Sequence, residues 1–420
     1  MKKKIVAAVM VGGSIFCGAH QVQALSPETE MLLELLQAKG VLTARDARDF
    51  SDALERKMAT QKEEGGESHQ ADNGVSDRVE KLKNDSGRSI AVLADRVELS
   101  GLVEVAAGAG EDFNEDDWSD ITLSTVEIGL DATISEWASA HLLLLYEEGE
   151  LYEEGEEDNH VTVDEGIVTI GNLDEFPAYL SAGKMYVPFG FFQTNMISDP
   201  LTLEIGETGD SALQIGFETG GLYGSLYGFN GDITARDDDD KIDGYGANLG
   251  YGLEKDAMAL DVGMGWFNNM ADTDGIGDYL AEEMDLDAVD DYVNGLSLYA
   301  VFTAEPFTLI GEYVAALDDF AADEIGFHGK GARPAAWNIE AAYSTELFSR
   351  ATTFALGYQS SHEAVDLGLP EDRYIAAVTF AVFDNTNLAL EYLHDEDYEE
   401  KDGGTGNDAH ATTLQLGVEF

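Results

Sequence analysis

The chain has 420 residues, with 83 acidic side chains against 23 basic ones and a formal net charge of −60. This charge excludes a nucleic-acid binder, because such a protein needs a basic face for the phosphates. The single cysteine, Cys17, excludes a fold held together by disulfides, and 44% apolar residues argue against intrinsic disorder.

The first residues have the layout of a secretory signal peptide. Lys2-Lys3-Lys4 precedes an apolar run from Ile5 to about Ala19, and Val22-Gln23-Ala24 offers a cleavage site. The run is too short to span a membrane as a helix. The sequence therefore predicts a signal peptide over residues 1–24 that is cleaved on export.

The segment that follows differs in charge from the rest of the chain. Residues 1–96 hold 15 acidic and 14 basic side chains, whereas residues 97–420 hold 68 and 9, which predicts a domain boundary near residue 96. A leucine stripe, with Pro27 in its first turn and Thr43 capping a second helix, predicts a periplasmic helical hairpin over 25–60. Residues 61–95 are predicted to form a linker with a short helix. A hairpin packed on itself and a self-associating coiled coil both fit this pattern.

From Val97 onward the hydrophobic period changes from 3.6 to 2. Met258, Leu260, Val262 and Trp266, for example, alternate with small or polar residues. Sixteen segments share this alternation and are predicted to be strands: 97–108, 123–134, 138–147, 161–170, 178–187, 211–219, 221–230, 242–253, 257–268, 295–304, 307–317, 335–345, 352–361, 373–383, 387–395 and 411–420.

An even number of strands of this length, each with one apolar face, is typical of bacterial outer-membrane barrels. A closed barrel is suited to the bilayer because its strands satisfy every backbone donor and acceptor. A soluble propeller or sandwich would show the same alternation, but its apolar faces would pack onto one another.

Two features favour the membrane barrel. The final strand places Leu414, Leu416, Val418 and the terminal Phe420 on one face, and this resembles the signal read by the outer-membrane barrel assembly machinery. Aromatic residues also fall near strand ends, where the two membrane interfaces would lie. These aromatic residues are Tyr251, Trp266, Tyr313, Trp337, Tyr343, Tyr374 and Tyr392.

The predicted fold is therefore all-β, a transmembrane antiparallel β-barrel of about 16 strands over residues 96–420, preceded by a short helical N-terminal region. Its expected location is the outer membrane of a Gram-negative cell. Outer-membrane lipid and the barrel assembly machinery are the expected partners, with no nucleic acid, and a homo-oligomer is left open.

If the apolar faces meet lipid, the opposite faces line a lumen. The charged candidates for this lining are Glu98, Glu104, Glu127, Asp131, Lys184, Asp261, Glu312, Glu340 and Glu391. A lumen lined by carboxylates predicts a preference for cations. The alternative is that many of these glutamates sit at strand ends in bulk solvent.

The segment after the fifth predicted strand is unusual for a lipid-facing element. Pro188 cannot donate to a strand ladder, and the phenylalanines that follow are mixed with polar residues. The segment is predicted to fold into the lumen as a constriction, with a plain external loop as the alternative. The constriction candidates are Phe189, Phe191, Phe192, Gln193 and Asn195.

Motifs for catalysis are not found in the sequence. There is no Gly-x-Ser-x-Gly elbow, no His-Glu-x-x-His and no phosphate-binding loop, so we expect neither an enzyme nor a cofactor. Asp272, Asp274 and the run 237–240 partly resemble calcium loops, but solvated acidic loops explain them more simply. No metal site is predicted.

Two blocks of the sequence resemble the LbtU family of siderophore porins. The more specific one runs from Gly183-Lys184-Met185-Tyr186-Val187-Pro188-Phe189-Gly190 through Thr194-Asn195-Met196-Ile197-Ser198-Asp199-Pro200 to Gly206-Glu207-Thr208, and the other is the predicted first strand after Arg96. The resemblance spans roughly residues 78–420. It implies an outer-membrane barrel that takes up iron-loaded siderophore. The residues before the barrel are too few and too polar for a globular plug domain.

Three functions are compatible with these features. The first is uptake of ferric siderophore through the barrel. The second is general diffusion with a preference for cations. The third is a barrel that only anchors a helical N-terminus for tethering the envelope.

Overall fold

The computed structural model describes residues 96–148, 160–235 and 242–420. The predicted signal peptide (1–24), helical hairpin (25–60) and linker (61–95) lie outside these residues. The described part contains a closed antiparallel barrel of sixteen strands, each paired with its neighbours in chain order. The strands are β1 Val97–Glu111, β2 Asp117–Ser135, β3 Ala138–Tyr146, β4 Thr162–Gly171, β5 Ala178–Tyr186, β6 Gly209–Thr219, β7 Leu222–Phe229, β8 Gly244–Lys255, β9 Met258–Phe267, β10 Gly295–Ala304, β11 Phe307–Ala316, β12 Ala335–Leu347, β13 Arg350–His362, β14 Asp372–Phe383, β15 Thr386–Glu396 and β16 Asp408–Glu419.

The predicted fold class and all sixteen predicted strands are confirmed. Large apolar side chains alternate along the strands and are exposed on the outer face, as with Leu226 at 68%, Leu356 at 67% and Ile215 at 60%. In a sandwich or propeller these faces would be covered by a second sheet, so the soluble all-β alternative is wrong.

The barrel closes between its first and last strands. Val103 pairs with Val418 and Ala107 pairs with Leu414 in the β1–β16 ladder. Beyond the last strand, the backbone of Phe420 exchanges two hydrogen bonds with Gly101, at 2.9 and 3.0 Å. The Phe420 ring covers Gly101, where an added Cβ would lie 2.3 Å from the ring. Glycine is therefore the residue that lets the terminal ring lie on β1.

The two ends of the barrel differ in their connections. At one end the turns are short, and in the β6–β7 turn Gly220 and Gly221 both have the positive φ that a two-residue hairpin turn requires. At the other end three long connections, residues 187–208, 268–294 and 317–334, fold over the barrel. We call these three connections together the loop cap.

The loop cap has an apolar core of its own, which continues into the barrel wall. Leu201, Ile276, Leu280 and Ile325 of the cap are fully buried and pack with inward-facing wall residues such as Phe267. Short elements build the cap: helices α1 Leu201–Glu204 and α2 Asp274–Asp278, a 3₁₀ turn Met270–Asp272, a π turn Tyr279–Glu283, and the paired two-residue strands Gly326–Phe327 and Lys330–Gly331. A further two-residue strand of the cap, Ala288–Val289, pairs with Thr234–Ala235 from the connection after β7. A further 3₁₀ turn, Glu400–Asp402, lies between β15 and β16. In the described ranges no helix is long and apolar enough to cross a membrane.

Aromatic side chains form two bands on the outer face. Near the long-loop end Trp337, Tyr358 and Tyr374 follow one another across β12 to β14, with ring centroids 4.9 and 5.0 Å apart. Near the short-turn end Phe307 contacts Tyr343, at 5.2 Å. Trp337 and Tyr343 are six residues apart on β12, which is about 20 Å along a strand. This spacing suits the two interfaces of a lipid bilayer.

Candidate functional site

Residues 187–208, which we call the inward segment, cross the interior of the barrel. β5 ends at Tyr186, and Pro188 has no N–H to continue the ladder. Phe189 follows and is buried against Phe267 with ring centroids 4.1 Å apart. Its carbonyl accepts a hydrogen bond from Ser297 Oγ on the inner face of β10. The segment therefore starts by attaching to β9 and β10, four and five strands away from β5 in the barrel.

A sharp bend then turns the chain. Phe192 has a φ of 54°, in the left-handed region that is costly for a bulky residue. Its ring covers Gly190 and Gly206, where an added Cβ would lie 2.0 and 2.9 Å from the ring. The two glycines therefore make room for the Phe192 ring and for this bend.

Glu312 on β11 holds the first part of the segment. Its carboxylate accepts the N–H of Phe191 at 2.7 Å and the N–H of Phe192 at 3.0 Å. The Thr202 hydroxyl, at the start of α1, donates to the same carboxylate at 3.1 Å. A single buried side chain thus joins both arms of the segment to one strand.

Glu340 on β12 holds the middle of the segment. It accepts the Thr194 hydroxyl at 2.6 Å and the Asn195 N–H at 3.0 Å, and the Asn195 side-chain amide donates to it as well. On β13 the Gln359 side chain accepts the Leu201 N–H at 2.9 Å.

Glu391 on β15 holds the tip of the segment. The N–H groups of Ile197 and Ser198 donate to its carboxylate at 2.5 and 3.2 Å, and the Ser198 hydroxyl donates at 2.6 Å.

The three glutamates are almost completely inaccessible to solvent. Glu312 is 6% exposed, and Glu340 and Glu391 are each 1% exposed. A buried carboxylate is stable only when hydrogen bonds replace its hydration, and backbone N–H donors to a carboxylate are among the stronger hydrogen bonds in proteins. These residues face the interior, but the inward segment occupies their carboxylates.

Four other candidates lie on the first two strands of the barrel. Glu98 and Glu104 are on the inner face of β1, and Glu127 and Asp131 are on the inner face of β2, where Glu98 pairs with Asp131 in the ladder. His141 of β3 lies between two carboxylates, 2.8 Å from Asp131 and 3.1 Å from Glu165.

Lys184 lies on the other side of the barrel wall. Its neighbour Met185 is buried inside the barrel, whereas Lys184 shares the outer face of β5 with Leu180. Its Nζ donates to the carbonyl of Val163 at 3.1 Å. The structure thus differs from the interior position predicted for Lys184, because a one-residue difference in register moves a strand side chain to the opposite face.

The segment presents an acidic residue to this acidic wall. Asp199 is exposed near the tip and lies close enough to Glu104 to repel its carboxylate. Burial raises the pKa of Glu147, just beyond β3, and the charge of Asp199 contributes to that shift. Among the lysines and arginines of the sixteen described strands, Arg373 alone has an inner-face position. It pairs with Asp395 at 2.9 Å. The space between the segment and β1 to β4 is thus bordered by carboxylates on both sides.

The remaining candidates have different surroundings. Asp261 lies on the inner face of β9, where it accepts the Tyr223 hydroxyl at 2.5 Å. Phe191 stacks on Tyr299 with ring centroids 4.5 Å apart, and Gln193 is half-buried on the inward segment. Tyr223 and Tyr299 were not singled out in the sequence. Their inner position could have been inferred from the period-2 alternation of their own strands. The glycines of the neighbouring strands, Gly250 and Gly263, leave room for their rings.

The calcium-like residues hold loops together. Asp272 accepts the N–H groups of Asp232 and Ile233, at 3.1 and 2.9 Å, and the Asn269 side-chain amide at 2.9 Å. Asp274 accepts the N–H of Gly209 at 3.2 Å. The run 237–240 lies outside the described residues. Within the described ranges, no three His, Cys, Asp or Glu side chains are placed so as to hold a metal ion.

The curated relatives of this chain are all described as UPF0422 proteins. No family model matches the chain. A UPF0422 protein of Coxiella burnetii is 30% identical over 315 residues, covering 74% of this chain and 66% of that protein. A UPF0422 protein of Legionella pneumophila is 29% identical over 356 residues, covering 77% of this chain and 66% of that protein. The chain thus spans 66% of the length of these curated relatives.

Solved structures of outer-membrane channels share the fold. The outer membrane channel DcaP of Acinetobacter baumannii superposes with a TM-score of 0.52 at 13% identity, covering 77% of this chain and 97% of that one. An anion-selective porin from Comamonas acidovorans gives 0.54 at 11% identity, with 77% and 99% covered. OprB of Pseudomonas putida gives 0.53 at 10% identity, with 80% and 97% covered. At these identities the likeness concerns the fold.

Proposed function

We propose that the protein is a porin-type channel of the outer membrane, which passes small solutes passively and prefers cations. The barrel fold, the two aromatic bands and the exposed apolar outer face support a location in the membrane. In this orientation the short turns face the periplasm and the loop cap faces the exterior, as is usual for such barrels.

The cation preference rests on one observation, the carboxylates on both sides of the space between the inward segment and β1 to β4. The charge of Asp199 on the segment acts on Glu104 of the wall. The inner-face Arg373 is paired with Asp395 and also donates to the backbone carbonyl of Asp199. Facing carboxylates raise the local concentration of cations and exclude anions of similar size. The neighbouring fold of an anion-selective porin does not bear on this, because selectivity depends on the side chains.

Reversal potentials in planar bilayers across a KCl gradient test the proposal. We expect potassium to be favoured over chloride at low salt. The preference should weaken as the Debye length shrinks to about 3 Å at 1 M salt. Preference for chloride in the unmodified protein would overturn the proposal, and absence of any conductance would leave the anchoring role instead.

The inward segment is proposed to narrow this path. Deleting residues 191–196 alone would leave Glu340 without donors and Glu312 with only the Thr202 hydroxyl, which favours misassembly. The deletion is therefore combined with Glu312→Gln and Glu340→Gln, and the undeleted double variant is the control. We expect a larger single-channel conductance after the deletion. An equal conductance in both assembled proteins would assign the segment no role in permeation.

Ferric siderophore is a second candidate solute. The observation that favours it is that the most specific block of resemblance to the LbtU siderophore porins, residues 183–208, includes the whole inward segment. A deletion strain and its complemented parent can be compared for growth on ferric siderophore as the sole iron source. Equal growth would remove siderophore uptake and leave the general channel.

A further inference from the structure

Two tyrosines on the inner wall lie over glycines and meet each other. Tyr223 pairs with Gly250, Gly250 with Gly263, and Gly263 with Tyr299, so the four residues form one row across β7 to β10. A Cβ added to Gly250 would lie 2.3 Å from the Tyr223 ring, and one added to Gly263 would lie 2.4 Å from the Tyr299 ring. Each ring therefore lies along the wall above a glycine, and the two hydroxyls are hydrogen-bonded to each other.

A carboxylate and a third ring complete this group. The Tyr223 hydroxyl donates to Asp261 Oδ1 at 2.5 Å, and Asp261 is two residues from Gly263 on the same face of β9. On the other side Phe191 of the inward segment stacks on Tyr299, with 14° between the ring planes. We call Phe191, Tyr223, Tyr299 and Asp261 the aromatic shelf. All four side chains are half-buried rather than enclosed.

The chemistry of the shelf suits a cation that carries an apolar body. The face of a tyrosine ring attracts a cation within about 6 Å of its centre. Asp261 adds a formal negative charge beside the rings, and the inner faces of the described strands β7 to β11 carry no lysine or arginine to neutralise it. Selecting cations by charge alone does not require aromatic rings that are half-exposed to the lumen. Such exposed apolar surface costs free energy in water.

We propose that the aromatic shelf is a subsite for organic cations, namely protonated or quaternary amines attached to a planar or apolar group. This inference rests on the proposed function and names a class of solute for the channel. The amine lies against the open side of the Tyr223 ring and beside Asp261, and the apolar group lies against Phe191, which covers Tyr299. Inorganic cations, which keep their hydration, pass without this contact.

Channel block by benzyltrimethylammonium tests the subsite. The measurement is the concentration that halves the potassium current through single channels in planar bilayers, with tetramethylammonium as the probe that has the charge without the ring. Three variants are compared with the unmodified protein: Asp261→Asn, Tyr223→Leu and Tyr223→Phe. Tyr251→Leu is the matched control, because Tyr251 lies on the outer face of the adjacent strand. Heat-modifiable migration confirms that each variant is assembled.

We expect benzyltrimethylammonium to block at lower concentration than tetramethylammonium. Asp261→Asn and Tyr223→Leu should each raise the half-blocking concentration about tenfold. Tyr223→Phe should raise it less because the ring remains, and Tyr251→Leu should leave it unchanged. Equal block in all variants, or equal block by the two probes, would overturn the subsite while a measured potassium preference keeps the proposed function. Preference for chloride in the same recordings would overturn the proposed function itself.

Discussion

Carboxylates on the inner wall have two different surroundings, and the difference is whether backbone donors face them. Glu312, Glu340 and Glu391 each accept N–H or hydroxyl groups of the inward segment. Glu104 and Glu127 face the rest of the interior and lie near other carboxylates. The first group positions the inward segment, so the second group is the better place to test selectivity.

Replacing Glu104 and Glu127 together by glutamine should reduce the preference for potassium over chloride by about twofold at low salt, because two charges of the acidic wall are removed. Reversal potentials across a KCl gradient measure the change. Lys184→Gln is the control, since Lys184 lies on the outer face, and it should leave the ratio unchanged. An equal effect of the control and the double variant would contradict this division of the charges.

At the scale of elements, the inward segment is a loop fixed by strands that are far from it in sequence. Its tip depends on Glu391, which is 193 residues away from Ser198 and accepts two backbone N–H groups and one hydroxyl there. Removing the acceptor leaves buried donors without partners, at about 1–3 kcal/mol for each group. That cost is enough to displace the tip without unfolding the barrel.

Glu391→Ala should therefore produce an assembled channel with larger or fluctuating conductance, while Glu391→Gln, which keeps one acceptor oxygen, should be intermediate. Single-channel recording measures both. Glu396→Ala, at the end of the same strand, is the matched control and should behave like the unmodified protein. A steady, unchanged conductance of Glu391→Ala would mean that the tip is held by other contacts.

The loop cap should be less stable at higher pH. Burial raises the pKa of Asp272 from 3.8 to about 7, although hydrogen bonds from Ile233 and Asn269 oppose the shift. Burial, together with the charge of Asp274, raises the pKa of Glu207 from 4.5 to about 8. At a pH between the ordinary and the raised pKa values, the folded cap binds more protons than the unfolded segment. The free energy of unfolding of the cap therefore falls as the pH rises from about 4 to about 8.

Hydrogen exchange of backbone amides in residues 268–294 measures this change, after correction for the intrinsic effect of pH on exchange. We expect faster corrected exchange at pH 8 than at pH 5. Glu207→Gln and Asp272→Asn should each flatten the dependence because neither replacement titrates. Slower corrected exchange at pH 8 would reverse the sign and refute the linkage.

At the scale of the whole molecule, the barrel depends on the seam between β1 and β16. Phe420 forms two backbone hydrogen bonds with Gly101 and lays its ring over that glycine. The seam is the pairing with the greatest separation along the chain, so closing it carries the largest loop entropy of the barrel. The terminal residue thus lies where the sheet becomes a closed barrel.

Deleting Phe420 should reduce the amount of heat-modifiable, membrane-assembled protein severalfold, since both the seam and the proposed signal for the assembly machinery are lost. Electrophoresis of unheated and heated outer-membrane fractions measures the assembled share. Phe348→Ala removes another exposed phenylalanine, in the β12–β13 turn, and is the control. Recovery of the protein as a soluble periplasmic monomer would contradict the membrane barrel altogether.

The sequence by itself determined the number of strands, their approximate bounds and which face of most strands is apolar. These properties are local, because period-2 alternation depends only on neighbouring residues and on the burial of one face. The inward fold of the segment after Pro188 was also predictable, since proline stops the ladder and three phenylalanines need partners away from water.

Only the tertiary structure decided which inner carboxylates are free to face a solute. Glu312, Glu340 and Glu391 cannot be told from Glu104 or Glu127 by sequence, because their donors come from residues more than a hundred positions away. The outer position of Lys184 and the pairing of Tyr223 with Tyr299 across two glycine strands likewise depend on register. Register is a property of strand pairs, so it is fixed when the barrel closes and not by any one strand.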